Sequence, residues 1–245
     1  MVTTIPLSAA STAPAVTIDV LSSCGDVLVL APHPDDETLG CGAAVAALTE
    51  LGRRAQVVVM TNGCASHPAS LSHPPARLRR LRAAEVTRAV DILTSGRGPA
   101  PLLLGYPDND APDGDAVVDR AVARILRHMS ASTTAVWSAW GGDPHTDHAR
   151  TARLALRLVA RIPTLALWSY PIWGRFDPDA PDVASDALVQ FESRRWQQLK
   201  AAAIAAHASQ MTGLISDDRG GFRMTDAHQR HFLTRPEIFV RETAR

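Results

Sequence analysis

Cysteine is scarce in this chain, and the few cysteines present form no disulfide framework. Cys24, Cys41 and Cys64 are the three among 245 residues, and none of them belongs to a C-x-x-C pair. An odd number at wide spacings disfavours a disulfide scaffold and indicates a reducing compartment. We therefore expect a cytoplasmic protein.

Long hydrophobic runs are also missing. No segment approaches the roughly 18–20 consecutive apolar residues that a membrane-spanning helix requires. The opening residues, MVTTIPLSAASTAPAV, have neither the basic start nor the sustained apolar stretch of a signal peptide. The sequence thus predicts neither a membrane span nor a secretory leader.

An excess of charge of either sign is absent as well. The 25 Lys and Arg residues balance the 25 Asp and Glu residues, so the net charge is zero. A partner such as nucleic acid or an anionic membrane would favour a basic excess. A small-molecule substrate is the expected partner.

What the chain does contain is an alternation of short apolar runs with helical patterns. Runs that are apolar throughout are typical of strands buried on both faces, and their alternation with helices predicts a parallel sheet. We expect one Rossmann-like α/β domain over residues 1–245, with an irregular segment at 1–20 and helices on both faces of the sheet. The predicted strands are 26–31, 55–60, 101–105, 134–138, 165–169 and 237–242, and the predicted helices are 38–52, 76–94, 115–130, 148–161 and 189–207.

One strand-to-helix turn carries an unusual cluster of charge. The stretch APHPDDETLG places His33, Asp35, Asp36 and Glu37 directly after the first buried run. A single Asp there would be read as a helix N-cap. Adjacent carboxylates repel one another, however, unless a cation offsets the repulsion. The cluster therefore predicts half of a metal site.

The stretch DPHTDH at 143–148 can supply the other half. It follows another predicted strand, and the carboxyl ends of parallel strands meet at one edge of a sheet. His145 and His148 stand three residues apart near the start of a helix. A catalytic zinc site usually has three protein ligands, and His33 and Asp36 would need one more. A chain of this length needs no metal for stability, so we expect the metal to serve catalysis.

Together these residues carry a family resemblance. The stretches APHPDDETLGCGA, TNG, RLRAAE, GYPDND, DPHTDH and KAAAIAAHASQ occur in this order between about residue 26 and residue 210. They resemble the LmbE-like (PIG-L) family of zinc-dependent N-acetylglucosaminyl deacetylases. The resemblance implies an LmbE-like fold, a Zn²⁺ cofactor, and His33, Asp36 and His148 as the metal ligands.

The resemblance also implies roles for residues beside the metal. Asp35 matches the general base, and His145 matches the residue that stabilises the oxyanion. A general-acid role for His145 is the alternative. Asp147 stands where the family has an acidic residue that tunes the histidine pair of this motif.

Three further residues are candidate substrate contacts. Arg82 and Asp108 fall in family motifs that face sugar hydroxyls. Trp173 offers a flat apolar face on which a sugar ring could stack. Each has a structural alternative: an ordinary helical pair of Arg82 with Glu85, a turn for Asp108, and a tryptophan that closes the sheet edge.

These interpretations predict a zinc-dependent hydrolase that removes the acetyl group from an N-acetylated amino sugar or its conjugate. Three alternatives stay open. The same site could cleave another amide of a sugar or thiol conjugate. Two histidines and one carboxylate can also hold iron(II) in an oxygenase. Lastly, the chain could be a carbohydrate-binding descendant without catalysis.

Overall fold

A seven-stranded sheet forms the centre of the structure, which is a computed structural model describing residues 3–243. A separate pair of two-residue strands lies outside this sheet. The strands are β1 (Thr4–Ile5), β2 (Asp26–Ala31), β3 (Ala55–Thr61), β4 (Leu102–Tyr106), β5 (Thr133–Ala139), β6 (Ala166–Tyr170), β7 (Val183–Ala184), β8 (Leu188–Phe191) and β9 (Glu237–Glu242).

The order of the strands places a switch point beside β2. The sheet runs β4-β3-β2-β5-β6-β9-β8, with β4 through β6 parallel and β9 antiparallel to both of its neighbours. The chain therefore adds strands first on one side of β2 and then, from β5, on the other. Crevices at such points, outside the carboxyl ends of the strands, are where α/β sheets bind ligands.

Helices cover both faces of the sheet, because successive strand residues point to opposite sides. The helices are α1 (Ile18–Ser22), α2 (Asp36–Glu50), α3 (Pro75–Thr94), α4 (Asp115–Leu126), α5 (Thr146–Arg161), α6 (Gln197–Ala206), α7 (Ala208–Met211) and α8 (Asp226–Thr234). Val27 and Val29 belong to a core shared with α1, α2, α3, α6 and α8, whereas Leu28 and Leu30 pack with α4 and α5. The predicted fold class, a mostly parallel α/β sheet in a single domain, is confirmed. Within residues 3–243, no helix is both long and apolar enough to cross a membrane.

The structure differs from the sequence-based prediction in two regions. The predicted helix over 189–207 begins only at Gln197, because residues 188–191 instead form β8 and pair with β9. That pairing is a long-range contact that local patterning does not reveal. The described part of the 1–20 segment is more structured than expected, since β1 pairs with β7 and a 3₁₀ helix spans Leu7–Thr12.

Candidate metal centre and active site

Two loops meet at the switch point, one following β2 and the other following β5. Asp36 Oδ2 lies 3.2 Å from His33 Nδ1 and 3.4 Å from His148 Nε2. The ring of His145 is 4.6 Å from that of His33, centroid to centroid. The structure therefore brings together the two motifs on which the predicted metal site depends.

Local geometry fixes the first loop. The backbone N–H of His33 donates to Asp36 Oδ2 at 3.0 Å, and α2 begins at Asp36. Asp35, between them, has a φ of 150°, in the region that favours glycine. Backbone strain of this kind persists where surrounding structure enforces it, and it is concentrated at functional sites.

Each of the two histidines next to Asp36 is oriented by a second carboxylate, which contacts the ring nitrogen that faces away from Asp36. His33 Nε2 lies 3.0 Å from Asp147 Oδ2, and His148 Nδ1 lies 2.8 Å from Asp143 Oδ2. Such carboxylate–histidine pairs are typical of metal ligands, because they fix the tautomer and the ring orientation. Each histidine thus presents its other nitrogen to Asp36.

Backbone amides in turn hold these two carboxylates in place. Asp147 accepts from the amides of Asn109 (2.8 Å) and Ala111 (3.0 Å). Asp143 accepts from the amides of Ile172 (3.0 Å) and Gly174 (2.7 Å). Backbone amides from the segments after β4 and β6 therefore anchor the two orienting carboxylates at one edge of the sheet.

The electrostatics of the cluster favour a bound cation. Burial opposes protonation of His33, but the hydrogen bond with Asp147 and the carboxylate of Asp36 outweigh it and raise the pKa of His33 to about 9. Burial likewise opposes protonation of His148, and the carboxylates of Asp36 and Asp143 raise its pKa to about 10. Both imidazoles therefore lie in a field that attracts positive charge.

An unsatisfied atom supports the same interpretation. His148 Nε2 is buried and has no hydrogen-bond partner among residues 3–243. Nitrogen atoms of His33, His145 and His148 also lie within 4.8 Å of one another. A buried, unpartnered imidazole nitrogen beside a carboxylate is costly without a ligand, so the residues present fit a metal ion.

Asp35 is the one carboxylate of the cluster that stays uncommitted. Its side chain is buried at 5% exposure, and its backbone N–H donates to Glu37 Oε2 at 3.2 Å. None of the described residues donates a hydrogen bond to its carboxylate. Burial, reinforced by the charge of Asp36, raises its pKa to about 7.

A cavity of about 240 Å³ opens beside these residues. Its lining combines residues of the histidine–aspartate cluster with other polar side chains and with apolar ones. The lining residues are His33, Asp35, Asp36, Leu39, Ala65, Ser66, Arg82, Asp108, Asn109, His145, Trp173, Gln210, Phe222 and Met224.

The three candidate substrate contacts all line this cavity, but Arg82 and Asp108 are also engaged by the protein. Arg82 donates to the carbonyl oxygens of Gly63 and Pro34 and to the side chain of Gln210. Asp108 accepts from the amides of Gly63 (2.6 Å) and Ala65 (2.7 Å). Both side chains therefore hold the loop after β3.

Trp173 has a different environment, among aromatic side chains. Its ring centroid lies 6.0 Å from that of Phe222 and 6.5 Å from that of Phe176. The indole is only partly buried and faces the cavity. It remains available for a ligand.

Some site residues were missed at the level of sequence. Asp143 was visible within DPHTDH but had no assigned role, although it orients His148. Gln210, in the HASQ stretch, donates to the Pro34 carbonyl at 2.6 Å and lines the cavity. Phe222 and Met224 had no motif to mark them. The carboxylate of Asp147 contacts the ring of His33 across the site, whereas its backbone N–H donates to the ring of His145 in its own motif.

Fold and site together define an α/β protein with a histidine–aspartate cluster, suited to a metal ion, at the switch point of its sheet. The chain belongs to the PIG-L family, whose model, described as "PIG-L: GlcNAc-PI de-N-acetylase", matches residues 28–159. The family resemblance predicted from the sequence motifs is confirmed.

Two curated proteins with deacetylase names match about half of this chain. The chain is 29% identical over 156 residues to a 1D-myo-inositol 2-acetamido-2-deoxy-alpha-D-glucopyranoside deacetylase of Geodermatophilus obscurus, covering 54% of this chain and 52% of that protein. It is 31% identical over 158 residues to the protein of the same name from Streptomyces scabiei, covering 56% and 49%. The chain thus spans about half the length of the curated relatives it matches.

Solved structures share the fold over nearly the whole chain. A conserved protein of Thermus thermophilus matches with a TM-score of 0.62 and 25% identity, covering 90% of this chain and 96% of that one. The N,N'-diacetylchitobiose deacetylase of Pyrococcus horikoshii matches with a TM-score of 0.63 and 19% identity, covering 91% and 86%.

Proposed function

We propose that this protein is a zinc-dependent hydrolase that removes the acetyl group from an N-acetylated amino sugar or its conjugate. The observation that carries the proposal is the unpartnered Nε2 of His148, which faces Asp36 beside the uncommitted carboxylate of Asp35. The family match and the deacetylases among the relatives support it. An α/β sheet with this family match gives no support to the iron oxygenase alternative.

Three residues would hold the zinc ion: His33 through Nδ1, Asp36 through Oδ2 and His148 through Nε2. His145 is also near, but its Nδ1 accepts the N–H of Asp147 at 3.2 Å and its ring lines the cavity. We therefore assign His145 to the substrate rather than to the metal. When bound, zinc lowers the pKa of a water molecule to about 7 and polarises the acetyl carbonyl.

Asp35 is the proposed general base. Its carboxylate is free of hydrogen bonds from the described residues and lines the cavity, so it can accept the proton of the attacking water. The same carboxyl group can then return that proton to the departing amine. Its neighbour Asp36 is committed to the metal cluster and cannot take this role.

The tautomer of His145 supports its role as the oxyanion stabiliser. Because Nδ1 accepts a hydrogen bond from the Asp147 amide, the proton of the neutral ring lies on Nε2. Nε2 can then donate to the acetyl oxygen as negative charge develops there. Donors of this kind are worth about 2.7–4 kcal/mol in the transition state.

The remaining cavity residues would receive the sugar. Trp173 offers its face to a ring, and Arg82 and Asp108 shape the wall after β3, where they also lie within reach of hydroxyl groups. The assay substrates follow from the names of the relatives: the 2-acetamido-2-deoxyglucopyranoside of myo-inositol and N,N'-diacetylchitobiose. Free Cys24, Cys41 and Cys64 agree with the proposed cytoplasmic location.

The metal assignment can be tested by metal analysis of purified variants. Asp36→Ala is expected to weaken zinc binding by on the order of 100-fold or more, since removing even an outer partner of a ligand costs 10–100-fold. His145→Ala is the matched control in the same cluster and should retain one equivalent of zinc. Loss of zinc from His145→Ala, with Asp36→Ala still loaded, would show that the three histidines form the site instead.

A further inference from the structure

A second cavity adjoins the short 3₁₀ turn Trp173–Arg175. Its volume is about 320 Å³, and its titratable lining groups are Arg175, His231 and Arg235. Among the described residues that line it, none is acidic. Leu7, Pro236 and Ile238 supply apolar wall. The cavity therefore concentrates positive charge beside carbon surface.

The positive charges of the arginines disfavour protonation of the neighbouring basic groups at the cavity. Burial, reinforced by the charge of Arg235, lowers the pKa of Arg175 to about 10. Burial also lowers the pKa of His231 to about 4, and the charges of Arg175 and Arg235 add to this effect. Holding cations together in this way costs free energy unless an anion offsets it.

No carboxylate within the described chain is free to neutralise them. The negative charge of Glu237 acts to raise the pKa of Arg175. The Glu237 carboxylate is already paired with the Lys200 ammonium group at 2.6 Å, however. It also accepts the amides of Ala43 (2.7 Å) and Ala44 (2.9 Å). Its hydrogen-bonding capacity is therefore directed at α2 and α6 rather than at this cavity.

Arg175 and Arg235 supply the hydrogen-bond donors at the cavity wall. The Arg175 guanidinium is fixed by one hydrogen bond from Nη2 to the Pro236 carbonyl (3.1 Å) and by a position 5.5 Å from the ring centroid of Phe232. Arg235 lines the same cavity, and its side chain is exposed. Two guanidinium groups at one cavity without an acidic lining residue form a surface that attracts an anion.

We infer that this cavity binds the carboxylate or phosphate group of a small organic anion. Arg175 and Arg235 would contact its oxygens, since guanidinium groups match carboxylate and phosphate geometry. Leu7, Pro236 and Ile238 would contact the carbon part of the ligand. This site is separate from the proposed catalytic cavity and does not depend on the proposed function.

Calorimetric titration of the full chain with inorganic phosphate and, separately, with acetate tests the inference. Chloride at the same ionic strength serves as the reference. Saturable binding is expected, and it should be at least tenfold weaker in Arg235→Gln, because hydrogen bonds to charged groups contribute about 1.5–3 kcal/mol. The exposed position of Arg235 keeps the risk to folding low. Tighter binding of phosphate identifies a phosphate group as the ligand, and tighter binding of acetate a carboxylate.

Arg230→Gln is the matched control, because Arg230 is an exposed arginine on α8, the helix that ends just before Arg235, and does not line the cavity. It should bind the anion as the unmodified protein does. Arg175→Gln, a second variant inside the cavity, should also weaken binding. Absence of saturable binding with both anions, or equal affinity in Arg235→Gln and the unmodified protein, would overturn the inference.

Discussion

Replacing Asp35 by asparagine is expected to lower kcat for deacetylation by about 10²–10⁴-fold, the usual contribution of a positioned acid–base group. Asparagine has nearly the same shape and branches in the same way as the aspartate that adopts this backbone conformation, but its amide cannot accept the proton of water. Zinc content and the unfolding midpoint should stay unchanged, because Asp35 holds neither the metal nor the core. Steady-state kinetics with a substrate of the unmodified enzyme measure the effect.

Asp110→Asn gives the matched control for this experiment. Asp110 is an exposed aspartate in the loop after β4, and it does not line the cavity. Its replacement changes charge by the same amount and should leave kcat unaltered. If Asp35→Asn loses less than tenfold in kcat, Asp35 is not the general base.

The second large effect concerns stability rather than catalysis. Lys200 is the only lysine of the chain, and its buried Nζ donates to Glu237 (2.6 Å) and to the Leu39 carbonyl (2.8 Å). Lys200→Met would leave the Glu237 carboxylate buried without its cation. Breaking a buried pair in this way costs about 3–5 kcal/mol of unfolding free energy. Denaturant unfolding of the variant measures the loss.

An exposed ion pair provides the comparison. Arg195 contacts Glu50 at 2.5 Å, with side-chain exposures of 70% and 43%. Arg195→Met should cost no more than about 1 kcal/mol, as is typical of surface pairs. Combining Lys200→Met with Glu237→Gln removes both charges and should recover part of the stability. Similar losses for Lys200→Met and Arg195→Met would show that burial does not govern the energetics of the Lys200–Glu237 pair.

The Lys200–Glu237 pair also contacts helix α2, which begins at Asp36. Helix α2 is interrupted at Cys41, whose φ and ψ are −141° and 20°. Lys200 binds the carbonyl of Leu39 before the interruption, and Glu237 binds the amides of Ala43 and Ala44 after it. The pair thus satisfies backbone groups that the kink leaves without helical partners.

Much of the fold was predictable because its strands carry their own signal. The run at 26–31 was placed at the observed residues, since a nearly continuous apolar stretch leaves little choice of burial. The strand at 237–242 was also placed correctly, on the β-branched and aromatic residues at its centre. The meeting of His33 with His148 followed from topology, because parallel strands deliver their carboxyl ends to one edge. The positions of two short motifs after parallel strands were therefore enough to predict that the motifs meet.

Other features depend on contacts that no local pattern records. Strand β8 forms because β9 offers an edge, and its sequence alone was read as helix. The sequence did not show that Arg82 and Asp108 would hold the loop after β3. The partner of Lys200 lies 37 residues away. The cavity proposed to bind an anion is lined by Leu7, Arg175 and Arg235, which only the tertiary fold brings together.

The most direct test of the account is acetate release from N-acetylated amino-sugar conjugates by the same protein before and after metal removal. We expect the zinc-loaded protein to release acetate from at least one conjugate. Dialysis against a chelator should abolish the activity, and one equivalent of Zn²⁺ should restore it, because His33, Asp36 and His148 act only with the ion in place. Full activity after complete metal removal would contradict the account.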